Sequence, residues 1–154
     1  GNMSFHCEDC SAHHFAETVY QTHQVIILPP VEFIKEFPDE DVTIHIDRMR
    51  LTQVITNFLG NAKKFTSQGH IKLGYFCDKE KKEIHIFVED TGAGIPKEEL
   101  QMIFERFYKR NEFVQGVGLG LAISKVIVEK MNGHIDVQSE VNKGSRFTAV
   151  LPYL

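Results

Sequence analysis

The chain carries no excess of basic residues. Lys and Arg number 17 against 21 Asp and Glu, a formal net charge of −4. No general positive field gathers nucleic acid or an anionic membrane, so any polyanion must be held by a local site. Long apolar runs are missing as well: none is long enough to span a bilayer, and no signal-peptide pattern opens the chain. Cysteine is scarce, three residues in 154, an odd number that argues against a disulfide scaffold. Internal repeats, linkers and low-complexity stretches are also lacking. Apolar residues at 42% and charged residues at 25% are ordinary for a globular domain and exclude a disordered, collagenous or coiled-coil chain. These exclusions leave a soluble, cytoplasmic domain with no contact to nucleic acid or membrane. Gly1-Asn2 before Met3 reads as the remnant of an expression tag, which leaves residues 4–154 as a single domain.

Ser4 to Cys7 reads as a short first strand. From Ser11 to about Gln24, Phe15, Thr18, Val19 and Thr22 recur at helical spacing behind Ser11 as N-cap. Two alternating runs, 31–37 and 42–46, flank Pro38-Asp39-Glu40-Asp41 and read as strands joined by a polar turn. A second helix is expected from about Asp47 to Lys64, then strands at Ile71–Phe76 and Glu83–Glu89 around a charged loop. Pro96 opens a short helix with Leu100, Ile103, Phe104 and Phe107 on one side. A longer helix runs from about Leu119 to Met131 and is stopped by Asn132-Gly133. Strands at His134–Ser139 and Ser145–Leu151, joined by Asn142-Lys143-Gly144, close the chain. The expected architecture is α+β, a two-layer sandwich with three main helices on one face of a mixed sheet.

The second helix is the most informative element. Leu51, Val54, Ile55, Phe58, Leu59 and Ala62 form one apolar arc, and Gln53, Asn57, Asn61 and Lys64 line its edge. An Asn carbonyl is a hard oxygen ligand suited to Mg²⁺, and Lys is a point charge suited to phosphate. The same stripe on its own is also what a solvated helix edge would show. Asp90-Thr91-Gly92-Ala93-Gly94-Ile95-Pro96 follows a strand and ends at a helix start. Its glycines let backbone approach a ligand, and a carboxylate at a strand end can accept a hydrogen bond from an exocyclic amine. By itself such a turn is common. Gly116-Val117-Gly118-Leu119-Gly120-Leu121 opens the last helix, where amides and helix dipole suit a phosphate chain. No strand leads into it and no Gly-Lys-Ser/Thr ends it, so it is neither a Rossmann fingerprint nor a Walker A loop.

Taken in order, these segments resemble the N, G1, F and G2 boxes of the GHKL (Bergerat-fold) ATPases, and specifically of sensor histidine kinase catalytic domains. The N box is Asp47 to Thr66, the G1 box Asp90 to Ile95, the F box Phe104-Glu105-Arg106-Phe107 and the G2 box Gly116 to Leu121. Gly144-Ser145-Arg146-Phe147-Thr148 resembles the closing strand motif. The resemblance implies ATP and Mg²⁺ as ligands. It makes Asn61 the Mg²⁺ ligand, Asn57 a second contact to metal or phosphates, and Lys64 a phosphate contact. Asp90 would read the adenine amino group, Gly92 and Gly94 would shape the adenine pocket, and Ile95 would wall it. Phe104, Gly116, Gly118, Leu119, Gly120 and Leu121 would border the nucleotide, Arg106 and Arg110 would neutralise the γ-phosphate, and Thr148 would touch adenine through water. A short lid is expected at about Tyr108 to Gln115.

The hydrolysing branches of that superfamily place a Glu four residues before the metal Asn; here the position is Asn57, which cannot act as a base. A site without a water-activating carboxylate favours a better nucleophile brought from outside, such as imidazole. No His-Glu-Leu-Arg-type acceptor occurs here, since Phe15-Ala16 follows His13-His14. The resemblance therefore implies a histidine-bearing dimerisation domain and a response-regulator receiver domain as partners, and a membrane-anchored parent. A GHKL serine kinase of the anti-sigma type and a nucleotide-sensing domain without phosphotransfer are the competing readings. Cys7, Cys10, His13 and His14 offer soft ligands within eight residues and allow a zinc site, but the resemblance makes this segment simply the entry strand and first helix.

Overall fold

The computed structural model describes residues 4–100, 102–103 and 112–153, with the helical backbone alone described over 112–119. The elements are β1 (Glu8–Ser11), α1 (Ala12–Gln24), β2 (Val31–Glu36), β3 (Thr43–Ile46), α2 (Arg48–Phe65), β4 (Gly69–Asp78), β5 (Glu83–Asp90), α3 (Lys97–Leu100), α4 (Glu112–Lys130), β6 (His134–Glu140) and β7 (Gly144–Pro152). Five strands form one mixed sheet in the order β2-β4-β5-β7-β6, parallel only between β2 and β4. β1 and β3 pair antiparallel as a separate ribbon.

Local chemistry explains the helices. Ser11 accepts the His14 amide at 3.0 Å as the N-cap of α1. Asp47 caps α2 by accepting the Arg50 amide at 3.1 Å, and its second oxygen takes the His6 amide at 2.9 Å. The six apolar residues of the α2 arc are all buried. At the end of α4, Asn132 is left-handed (φ 67°), and the Gly133 amide returns to the Val128 carbonyl at 3.0 Å.

α1, α2 and α4 cover one face of the sheet, as expected from the sequence. Phe58 of α2 meets Phe147 of β7 at 5.5 Å between ring centroids, and Tyr20 of α1 stacks on Phe33 of β2 at 4.6 Å. The opposite face is tiled by its own side chains. Phe76 stacks on His85, and Arg146 lies over Phe87 while pairing with Glu89 at 2.9 Å. Among the described residues no helix is long and apolar enough to cross a membrane.

Three expectations need correction. The first strand is Glu8–Ser11, not Ser4–Cys7, because its partner is β3, with Glu8 opposite Ile46. The runs at 31–37 and 42–46 are not a hairpin: β2 joins β4 in the large sheet, while β3 joins β1. α4 begins at Glu112 rather than near Leu119. Extending an existing helix gains one hydrogen bond per residue fixed, and the glycines do not interrupt it.

Candidate functional site

β5 ends at Asp90, which is only 7% exposed. Burial raises the pKa of its carboxyl, while the backbone amides of Gly92 and Ser145 pull the other way by favouring the ionised form. The Gly92 amide donates to Asp90 Oδ1 at 2.8 Å. The Thr66 hydroxyl, at the end of α2, stands beside this carboxylate and also favours its ionised form. It is buried and reaches hydrogen-bond geometry with no group among the described residues.

The turn from Thr91 to Ile95 is pinned on both sides. The Thr91 amide bonds the His70 carbonyl at 3.2 Å, the Asn142 amide bonds the Ala93 carbonyl at 2.8 Å, and the Ile95 amide donates to Ser139 Oγ at 2.7 Å. A Cβ on Gly92 would collide with the Phe65 carbonyl. Gly94 has φ +75°, and a Cβ there would collide with the Glu140 carbonyl. Both motif glycines are thus required by tertiary packing against the end of α2 and the end of β6. Ile95 is half-buried against the core.

α2 presents Asn57 and Asn61 half-buried, one turn apart, with Lys64 more exposed. The Asn57 side chain is tied to α4: Nδ2 donates to the Gly120 carbonyl at 3.2 Å and to Ser124 Oγ at 3.0 Å. This joins the N box to the G2 box directly.

Several sequence-assigned residues sit elsewhere than expected. Thr148 pairs with Phe87, in register with Arg146 on the helix-free side, whereas Ser145 pairs with Asp90 on the side of Phe147 and α2. Ser145, not Thr148, therefore belongs to the Asp90 site, and its hydroxyl lies 2.8 Å from that of Ser139. The signal was present in the strand alternation, since Ser145 shares the odd register of Phe147, Ala149 and Leu151. Thr66 was also missed as a site residue, for its exposure to the Asp90 carboxylate is purely tertiary. Leu121 is 1% exposed and belongs to the core, not to a ligand surface. Because α4 starts at Glu112, amides from Gly116 onward fall inside the helical ladder rather than at its open end. Phe104, Arg106, Arg110 and the first half of the expected lid lie outside the described residues, as do the side chain of Leu119 and the surroundings of Gly116 and Gly118.

A groove of about 390 Å³ runs beside the same strand ends, lined by His70, Glu89, Gln138 and Arg146 as well as Asp90 and Ser145. No residue of α2 borders it, so it is separate from the place where Asn57 and Asn61 lie. The cysteine–histidine cluster of the N-terminal segment does not assemble: Cys10 is buried, Cys7 is exposed, and His13 packs against Phe37. The one group of three metal-ligating side chains among the described residues is Asp78, Glu83 and His85, at the far hairpin.

Comparison with known proteins bears on the family and the fold. Residues 46–154 match the family described as histidine kinase-, DNA gyrase B- and HSP90-like ATPase. The sensor histidine kinase WalK of Bacillus subtilis is 39% identical over 128 residues, covering 80% of this chain and 21% of WalK. The sensor protein SrrB of Staphylococcus aureus is 44% identical over 110 residues, covering 69% of this chain and 19% of SrrB. The chain thus spans about a fifth of the length of these relatives. Among solved structures, full-length ShkA in complex with AMPPNP superposes with a TM-score of 0.87 at 27% identity, over 99% of this chain and 32% of ShkA. The catalytic domain of histidine kinase ThkA gives 0.84 at 28% identity, over 97% of each chain. By sequence and fold alike, the chain belongs to the histidine kinase-, DNA gyrase B- and HSP90-like ATPase family.

Proposed function

We propose that this domain binds Mg-ATP and donates the γ-phosphate to a histidine on a dimerisation domain outside the chain. The observation that carries the reading is the Asp90 carboxylate, buried at a strand end beside the buried Thr66 hydroxyl, under a turn where Gly92 and Gly94 admit no side chain. An exocyclic amine next to a ring nitrogen, the pattern on one edge of adenine, supplies a donor for Asp90 and an acceptor within reach of a hydroxyl or its water. The amide oxygens of Asn57 and Asn61 are hard ligands that suit Mg²⁺. When bound, the ion would neutralise charge on the phosphates and orient the γ-phosphate.

Asn61 is then the metal ligand, Asn57 the second contact, and Lys64 a phosphate contact. Ile95 walls the adenine side, while Phe104, Gly116, Gly118, Leu119 and Gly120 border the nucleotide. Arg106 and Arg110 offset γ-phosphate charge. With an amide at position 57 instead of a carboxylate, no base stands ready for water, so an external imidazole is the acceptor. A response-regulator receiver domain takes the phosphoryl group next, and the parent protein is membrane-anchored with this domain in the cytoplasm. The names of WalK, a sensor histidine kinase, and ThkA, a histidine kinase, support this over a serine-kinase reading.

The experiment is transfer in trans. Incubation of the domain with γ-labelled ATP and its dimerisation domain should give label on the partner that is acid-labile and base-stable. Label that survives acid, as a serine ester does, would sink the proposal.

A further inference from the structure

The two ends of the Asn57 amide differ in chemistry, and the fold chooses between them. The Gly120 carbonyl, 3.2 Å away, can only accept, so the amide must turn Nδ2 toward α4. Ser124 Oγ, 3.0 Å from Nδ2, accepts the second proton from a position with 0% exposure. Both amide protons are committed to α4, and among the described residues Oδ1 accepts no hydrogen bond. An amide oxygen attracts a cation or the protons of its water ligands and repels a phosphate oxygen.

We propose that Ser124 is a positioning residue which, with the Gly120 carbonyl, fixes the Asn57 amide so that Oδ1 is the end offered to the ligand. Asn57 then meets Mg²⁺ or its coordinated water, not the phosphates. This rests on the Mg-ATP reading above and decides between the two contacts that the sequence left open for Asn57. A Ser124 that merely filled space would be indifferent to the metal.

Calorimetry with ATP, in Mg²⁺ and in EDTA, separates these cases. Ser124→Ala should bind Mg-ATP about three- to tenfold more weakly, the worth of one hydrogen bond, and bind metal-free ATP as the wild type does. Asn57→Ala should lose the same metal-dependent part of the affinity, and Ser124→Ala should add nothing further in that background. Ser124→Thr, which retains the hydroxyl, should recover part of the loss. A folded Ser124→Ala with wild-type affinity for Mg-ATP overturns the inference. So does an equal loss with and without metal in Asn57→Ala, a result that stands even if Ser124→Ala does not fold. Wild-type protein that binds ATP in neither condition overturns the functional reading itself, and this inference with it.

Discussion

Asp90 and Ser145 face one another across the β5–β7 ladder, and the Ser145 backbone amide points at the buried Asp90 carboxylate. Burial outweighs the amides and raises the carboxyl pKa, so ionisation of Asp90 costs stability. The cost is absent below the unfolded-state pKa of about 3.9 and complete once pH exceeds the raised folded value. Wild-type stability should therefore fall as pH rises through this range, and Asp90→Asn should flatten that dependence while abolishing nucleotide binding. A folded Asp90→Asn protein with wild-type affinity for ATP would remove Asp90 from the site.

Side selection on β7 gives a paired test. Ser145→Ala should weaken ATP binding, because its hydroxyl and the Ser139 hydroxyl hold the wall beside Asp90. Thr148→Ala, on the helix-free side, should leave affinity unchanged. The reverse ranking in a fluorescent-nucleotide titration would contradict the strand register.

The Asp47 carboxyl behaves oppositely to that of Asp90. Burial pushes its pKa up, but the His6 and Arg50 amides and the Arg50 guanidinium outweigh burial and hold it below the ordinary value. Its contribution is present above the unfolded pKa and lost as pH falls through the folded one. Asp47→Ala should cost about 0.5–2 kcal/mol as a lost N-cap, and more where the His6 amide is left without an acceptor. Denaturant unfolding at pH 7 and in acid measures this; the difference from wild type should shrink in acid.

Gly94→Ala places a side chain at φ +75° against the Glu140 carbonyl. Left-handed backbone alone costs about 1–2 kcal/mol for an L-residue, and the collision must also displace the turn. Loss of ATP binding together with a lower melting temperature is expected; an unperturbed protein would show the turn to be pliable.

On the proposed reading, the amide at position 57 offers no base to water near the γ-phosphate. The isolated domain should bind ATP yet hydrolyse it far below the roughly 1–100 s⁻¹ of working kinases. Steady-state phosphate release at kinase-like rates would defeat the histidine-transfer reading.

Much of this molecule was determined by sequence alone. The arc and cap of α2, the N-cap of α1, the stop at Asn132-Gly133 and the strands around the Lys79–Lys82 loop are local, set by periodicity and side-chain-to-backbone hydrogen bonds. So is the order of the N, G1, F and G2 segments, which carries the family resemblance. Tertiary structure decided what local pattern does not encode. β2 pairs with β4 rather than β3, a partnership that sets half-buried Phe33 against Tyr20 of the helical layer. Ser145 rather than Thr148 reaches Asp90 because register fixes which side chains share a face. The Asn57 amide has one orientation because a carbonyl and a hydroxyl from 63 and 67 residues away accept its protons, a constraint that exists only once α2 and α4 are packed.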